Sequence, residues 1–447
     1  MSSESPRSYK HLYLPIEESA RELNARLLLL VAAVNRGYRV VIGQQWLMVH
    51  NLYNLTPGVV FFKGLNRIQA NWMGLARKYG HRVAAIDEEV TAIAAKRFVL
   101  KEVSEESLPL IDRFFQQGQN QHDIYEEAFP DHHERFVITG NPRFDLLRKQ
   151  FTRAFEGDAV QYRERYGRYI LINTNFGFVN TVYGAPEDFI DTCERVGYAY
   201  RNDPEDAKFF KDFLELEARN MAAFQVMIRA LRDRFPGHRI VLRPHPAENM
   251  ATWKEALAGE ERIHVVFEGS AVPWMLGADF FIHNTCTTGT EAMVLGVPVA
   301  AYASFTNWVE SIFLSNLVTP VYRDLENLFG AVAAGIADRE AFVAAIHAEK
   351  GAILRQHISG LDERLATGGV FHGIEQIAPE PVACSIFREG GRLKHGFRRT
   401  DYQRKKIDLD TTEFKLRLSN ILKATGLGLN AEAEKIGDSL FLVTPTD

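Results

Sequence analysis

Val241-Leu242-Arg243-Pro244-His245-Pro246-Ala247-Glu248-Asn249, read with Asp279-Phe280-Phe281-Ile282-His283-Asn284-Thr285-Cys286-Thr287-Thr288-Gly289-Thr290-Glu291-Ala292, decides the fold. Each stretch is a short apolar run that passes directly into polar and small residues opening a helix. That is how the strands of an open α/β sheet reach the loops forming its binding crevice. The two stretches are therefore expected to be two walls of one site.

Outward from this pair, the same alternation covers most of the chain. In the C-terminal half, strands are expected at 169–175, 239–242, 263–267, 280–282 and 297–302, with a long helix inside 206–235. In the N-terminal half, 11–15, 39–43, 59–62, 82–86, 113–118 and 136–138 read as strands. Helices are expected at 17–36, closed near Gly37, at 65–79 and at 119–129. Strand, helix, strand in sequence implies a parallel sheet. Between 140 and 166 the periodicity weakens into a charged stretch, expected to connect two halves. The expected class is α/β with two Rossmann-like domains facing each other across a cleft: residues 1–150, residues 168–378, and a basic extension at 379–447.

The 447 residues fit two α/β domains, and 46% hydrophobic with 24% charged residues is the composition of a globular chain. A net charge of −5 argues against a nucleic-acid partner. Cys193, Cys286 and Cys384 are too widely spaced for a disulfide framework or a metal-ligand pattern, and no metal site is expected. The polar N-terminus lacks the core of a signal peptide, and the longest apolar run, 27–34, is far short of the ~20 residues of a membrane span. A cytoplasmic location follows as an expectation. From 388 to 406 there are eight Lys/Arg against Glu389 and Asp401. That stretch is either a solvated surface or a patch for anionic lipid or a phosphate-bearing acceptor.

Four groups of residues could carry chemistry. At Thr285, Thr287, Thr288, Gly289, Thr290 and Glu291, free backbone N–H groups and a helix N-terminus favour a phosphate, with Glu291 able to accept ribose hydroxyls. The competing reading is helix capping by Thr287 or Thr288. His245-Pro246 proves nothing by existing, since 14 His and 17 Pro in 447 residues make about 0.5 such dipeptides by chance. Its placement after a strand, next to the permanent cation Arg243, suits a histidine that stabilises a departing nucleotide. Glu268 and Ser270 end the neighbouring strand and join the phosphate set. Asp87-Glu88-Glu89 places three carboxylates at a strand end, where mutual repulsion would raise a pKa and suit a general base; the alternative is an acidic surface loop. Asn173, Thr174 and Asn175 are placed to touch substrate or to satisfy a turn.

These segments, with Tyr13-Leu14-Pro15-Ile16-Glu17 and Thr139-Gly140-Asn141-Pro142-Arg143-Phe144-Asp145, resemble the bacterial surface carbohydrate biosynthesis family. Its proteins look like GT-B glycosyltransferases related to capsule β-Kdo transferases and bacterial sialyltransferases. The resemblance implies that Glu88 acts on the acceptor hydroxyl, with Asp87 and Glu89 beside it. It further implies that His245 acts on the phosphate side and that Thr287 and Thr288 hold a CMP phosphate. The glycine that follows the acidic pair in those enzymes is Val90 here. The implied activity is metal-independent transfer of Kdo or a nonulosonic acid, inverting or retaining, from a CMP-linked donor to a glycan or lipid-linked acceptor. No cofactor is implied beyond the nucleotide-sugar substrate. Peripheral contact with the inner face of the membrane or with polysaccharide assembly proteins accompanies that role. The alternatives are a CDP-glycerol or CDP-ribitol phosphotransferase, a UDP-sugar 2-epimerase, and a catalytically silent scaffold.

Overall fold

The computed structural model describes residues 7–446 apart from 183, 363, 384 and 395–397, so Cys384 and residues 1–6 lie outside the described residues. The chain forms two compact units. One comprises Met1–Glu88, Val103–Ala154 and Ile358–Asp447; the other comprises Glu89–Glu102 and Phe155–His357.

In the first unit β1 (Lys10–Ile16), β2 (Tyr38–Gln44), β3 (Val59–Phe62), β4 (Arg82–Ile86), β5 (Arg113–Gln116) and β6 (Phe136–Ile138) pair in parallel. The helix Ser19–Val34 connects β1 to β2, and its run from Leu27 to Val31 is buried throughout. A helix apolar on all sides must be covered on all sides. The sheet covers one face, and helices Ala366–Ile377 and Thr411–Thr425 pack against it as well. This requirement for cover draws the C-terminal segment back into the first unit.

The second unit holds β7 (Tyr169–Asn173), β8 (Arg239–Arg243), β9 (Ile263–Val265), β10 (Phe280–His283), β11 (Val299–Tyr302) and β12 (Val321–Tyr322), parallel throughout in the order β12-β11-β10-β7-β8-β9. Ile170, Ile172, Ile240, Leu242, Phe280 and Ile282 pack with Phe224, Met227 and Trp253 in its core. The helix Pro204–Arg234 begins where Asp203 accepts hydrogen bonds from the N–H groups of Glu205 and Asp206.

Three expectations change. Residues 379–447 are not a separate extension: β13 (Ala431–Gly437) and β14 (Leu440–Pro445) form an antiparallel hairpin, and β14 pairs antiparallel with β2. The first sheet is thus mixed, in the order β13-β14-β2-β1-β3-β4-β5-β6. The hairpin covers an edge that β2 would otherwise leave unpaired. Gly43 makes the approach feasible, since a Cβ there would collide with the backbone of Ser439.

The connection expected at 140–166 is not a free linker either. The units divide between Ala154 and Phe155, and the helix Glu156–Tyr166 belongs to the second unit, where Tyr162 stacks on Trp274 at 3.8 Å.

Arg388, Lys394, Arg399, Arg404 and Lys406 of the basic stretch have partners within the protein. Arg399, 4% exposed, pairs with Asp438 at 2.9 Å; Lys406 pairs with Glu17; Arg388 Nε donates to the Leu55 carbonyl at 2.9 Å; and the Lys394 ammonium lies 5.0 Å from the Tyr53 ring centre. Among the described residues, no helix is long and apolar enough to cross a membrane.

Candidate functional site

The order of the second sheet creates a switch point at β7. The chain runs from β7 to β8 and β9 on one side, then returns to add β10 and β11 on the other. Loops leaving β7 and β10 therefore diverge, and the crevice at their carboxyl ends is where open α/β sheets bind ligands. Register makes this concrete: Asn173 is the paired neighbour of both Arg243 and His283, so the last residues of three strands stand in one row. The loops after β8 and β10 therefore leave the sheet on either side of the end of β7.

The loops are tied across that row. The Asn175 N–H donates to Asn284 Oδ1 at 2.8 Å, and Asn284 Nδ2 returns a bond to the Asn175 carbonyl at 3.2 Å. Asn173 Nδ2 donates to Thr288 Oγ1 at 3.2 Å, and Thr288 Oγ1 donates to Cys286 Sγ at 3.0 Å. Asn173 and Thr174 are buried and Asn175 half-buried, so these polar residues knit neighbouring loops. Thr285 takes the left-handed conformation at φ 44°, uncommon for a side chain branched at Cβ.

The helix Thr288–Leu295 starts from Thr287, which makes no side-chain cap bond, so the capping explanation of the threonines is not realised. Its first turn lies against the buried ring of His283, and a Cβ at Gly289 would collide with that ring. Burial lowers the His283 pKa to about 3, so the ring is neutral, with Nε2 at 3.0 Å from Thr319 Oγ1. Thr290 and Glu291 are buried within the same first turn.

Arg243 differs from expectation. It is 7% exposed, and its Nη2 donates to the carbonyls of Glu268 at 3.1 Å and Gly269 at 3.0 Å. Burial lowers its pKa to about 10. The guanidinium braces the loop after β9 and is not a solvent-facing cation. Glu268 is exposed and pairs with Arg165, while Ser270 precedes the helix Ala271–Gly277 without capping it.

His245 is exposed on the loop after β8. Its Nδ1 accepts from the Ala247 N–H at 3.2 Å, which in the neutral ring leaves the proton on Nε2. A residue the sequence reading did not single out organises this loop. Glu248, 2% exposed, accepts from the His245 N–H at 2.9 Å, the Thr174 hydroxyl at 2.7 Å and the Trp253 indole at 2.8 Å. Its signal in the sequence was a lone carboxylate three residues after a strand-end histidine, too common to stand out.

In the first unit the switch point falls between β1 and β3. It is occupied by Glu17, after β1, paired with Lys63, after β3, at 2.6 Å. Next to β3, Asp87 and Glu88 follow β4 and are buried at 2% and 3% exposure, so an exposed acidic loop is excluded. Glu88 lies 3.9 Å from Arg26, which is itself buried over the Phe61 ring, and accepts from Asn141 Nδ2 at 3.2 Å. Glu88 is therefore one half of an ion pair, not a member of an uncompensated cluster. Glu89 is half-buried and falls in the second unit, so the three carboxylates are divided between the two. Lys63 and Arg26 were not found from sequence because each is a charge adjoining an apolar run, Phe61-Phe62 and residues 27–34.

No protein-family model and no curated protein matches the chain. Among solved structures, a histidine-to-alanine variant of the wall teichoic acid polymerase TagF is similar at a TM-score of 0.51 and 12% identity, covering 83% of this chain and 89% of that one. The UDP-GlcNAc 2-epimerase from Neisseria meningitidis bound to UDP-GlcNAc gives 0.49 at 12% identity, covering 82% and 99%. At such identities the likeness is one of fold, and with the two sheet topologies it establishes that this chain is α/β with the GT-B architecture of two Rossmann-like units.

Proposed function

We infer that the protein transfers a sugar from a nucleotide-activated donor to a growing bacterial surface glycan. The donor is a CMP-linked 3-deoxy-ulosonic acid such as Kdo, or a nonulosonic acid. One observation carries the reading: an exposed histidine follows β8 on one side of β7, and on the other side of β7 the loop after β10 opens the helix Thr288–Leu295. Such an edge offers N–H donors and a positive dipole end to an anionic leaving group.

In this mechanism the second unit holds the nucleotide. Thr285, Thr287, Thr288 and the following amides face its phosphate. The acceptor belongs to the first unit, where Glu88 takes the proton of the acceptor hydroxyl. A bond forms from that oxygen to the anomeric carbon as the bond to the phosphate oxygen breaks, and CMP leaves with its charge stabilised by His245. No cofactor takes part. Peripheral contact with anionic membrane or assembly proteins, through exposed Arg392, Arg398 and Lys405, belongs to the same proposal.

A second reading is favoured by the Arg26–Glu88 pair. That carboxylate is already engaged by the Arg26 guanidinium and by Asn141 Nδ2. Transfer of a polyol phosphate from a CDP-linked donor would instead use His245 as base and leave a phosphodiester product.

Binding of CMP-Kdo, CMP-sialic acid, UDP-sugars and CDP-glycerol to the purified chain, followed by product analysis, separates the two. A glycosidic product from a CMP-sugar supports the first reading and a phosphodiester the second; preference for a UDP-sugar overturns both donor assignments. His245→Ala should keep the fold and lose transfer by about 10²–10⁴-fold, and an unchanged rate removes the histidine from the mechanism.

A further inference from the structure

We propose that Glu248 is a positioning residue for His245: its buried carboxyl group ties the loop after β8 to the loop after β7 and thereby sets where the imidazole stands. The proposal rests on the reading that His245 acts at the donor phosphate.

The geometry is that of a knot with a single centre. Donors from separate elements converge on two carboxyl oxygens. Oε1 takes the His245 N–H at 2.9 Å and the Thr174 hydroxyl at 2.7 Å; Oε2 takes the Trp253 indole N–H at 2.8 Å. The Glu248 N–H donates back to the His245 carbonyl at 2.8 Å, so the backbone of His245 is held on both sides. Ala247, inside the same turn, donates to the ring itself. The neighbouring chain is fixed as well: Val182 N–H bonds the Ala247 carbonyl at 2.9 Å, and Asn249 N–H bonds the Asn180 carbonyl at 2.7 Å. Trp253, fully buried, anchors the knot to the core of the second unit.

Pro244 and Pro246 restrict the backbone on either side of His245 but cannot donate hydrogen bonds. Glu248 Oε1 is the side-chain acceptor that the His245 N–H meets. An amide cannot substitute. A glutamine at 248 has one oxygen for these donors, and its NH₂ group would face either the indole N–H or the pair at Oε1.

The test is a double-mutant cycle in the full chain, with Glu248→Gln made in wild-type and His245→Ala backgrounds and turnover measured on the donor that the wild type accepts. In the wild-type background kcat should fall by up to ~10²-fold with KM nearly unchanged, because displacement of a reacting group by about 1 Å costs that much. In the His245→Ala background the same change should cost less than about threefold, since it acts through a side chain already removed. Equal losses in both backgrounds overturn the proposal. Should the wild type turn over none of the donors, the functional reading falls, and hydrogen exchange of the His245 amide decides the positioning separately. Roughly tenfold faster exchange in Glu248→Gln is expected, and an unchanged rate overturns it. If Glu248→Gln does not fold, Trp253→Phe removes one donor while keeping an aromatic ring; it should raise the same exchange rate by a smaller factor, and no change is again the overturning result.

Discussion

The two switch points treat buried charge in opposite ways. At the first, carboxylates meet cations: Glu17 lies between Lys63 and Lys406, and Glu88 lies against Arg26. At the second, carboxyl groups meet neutral donors. Glu248 is held by a backbone N–H, a hydroxyl and an indole, and Glu217 Oε2 by the N–H groups of Phe178 and Val179 at 2.9 and 2.8 Å. The titration directions diverge accordingly. Burial pushes Glu17 up, but Lys63 and Lys406 outweigh it and hold the group well below the ordinary carboxylate range. Burial raises Glu248 and carries Glu217 far above that range, despite the hydrogen bonds that oppose it. Glu17 is thus held as a charge between two cations, although burial raises its neighbour Glu18 to about 7, whereas Glu248 and Glu217 hold backbone.

The largest effect should come from breaking the first pattern. Arg26→Met strands Glu88 at 3% exposure and should cost about 3–5 kcal/mol in urea denaturation; a cost below about 1 kcal/mol would mean that Glu88 does not depend on its partner. Next is Gly289→Ala, which drives a methyl group into the His283 ring and should cost about 1–3 kcal/mol. Gly74→Ala, in the helix Arg67–Lys78 with open space around the new Cβ, is the control and should be neutral or stabilise by up to about 1 kcal/mol.

The smallest effect is the one that sharpens the comparison, because it is read as a sign. A carboxyl group whose pKa is raised by folding stabilises the fold below the ordinary Glu range and gives that contribution up as pH climbs through the raised value. One whose pKa is lowered stabilises above the ordinary range and loses the contribution as pH falls toward the lowered value. Glu217→Gln should therefore gain on wild type as pH rises from about 5 to 8, by on the order of 1 kcal/mol per pK unit removed. Lys63→Met should be most destabilising above about pH 5 and approach wild type in acid. Thermal melts across that range read both, and parallel curves for the two variants would erase the distinction between the edges.

Much of the architecture was legible because strand ends announce themselves. Apolar runs stopping at Asn173, Arg243 and His283 before polar, small residues located the second crevice, and the matching runs of the first half located its strands. The hairpin of β13 and β14 was not legible: Ala431–Gly437 is a largely polar edge strand, and only the pairing of Leu440–Pro445 with β2 gives it a place. The burial and partners of Arg243 and Glu88 were not legible for a related reason. Both are charged residues at strand ends, where exposure is the usual expectation, and both are buried by segments distant in sequence.

Local sequence therefore determined which segments are strands and helices, that strands joined by helices run parallel, and which residues end each strand, since these depend on periodicity within about ten residues. Tertiary structure alone decided that β10, β7 and β8 lie side by side, that Arg243, Asn173 and His283 share a row, and which carboxyl groups meet a cation. Those outcomes depend on crossover direction and on what covers each side chain, and both are set by packing between residues tens to hundreds of positions apart.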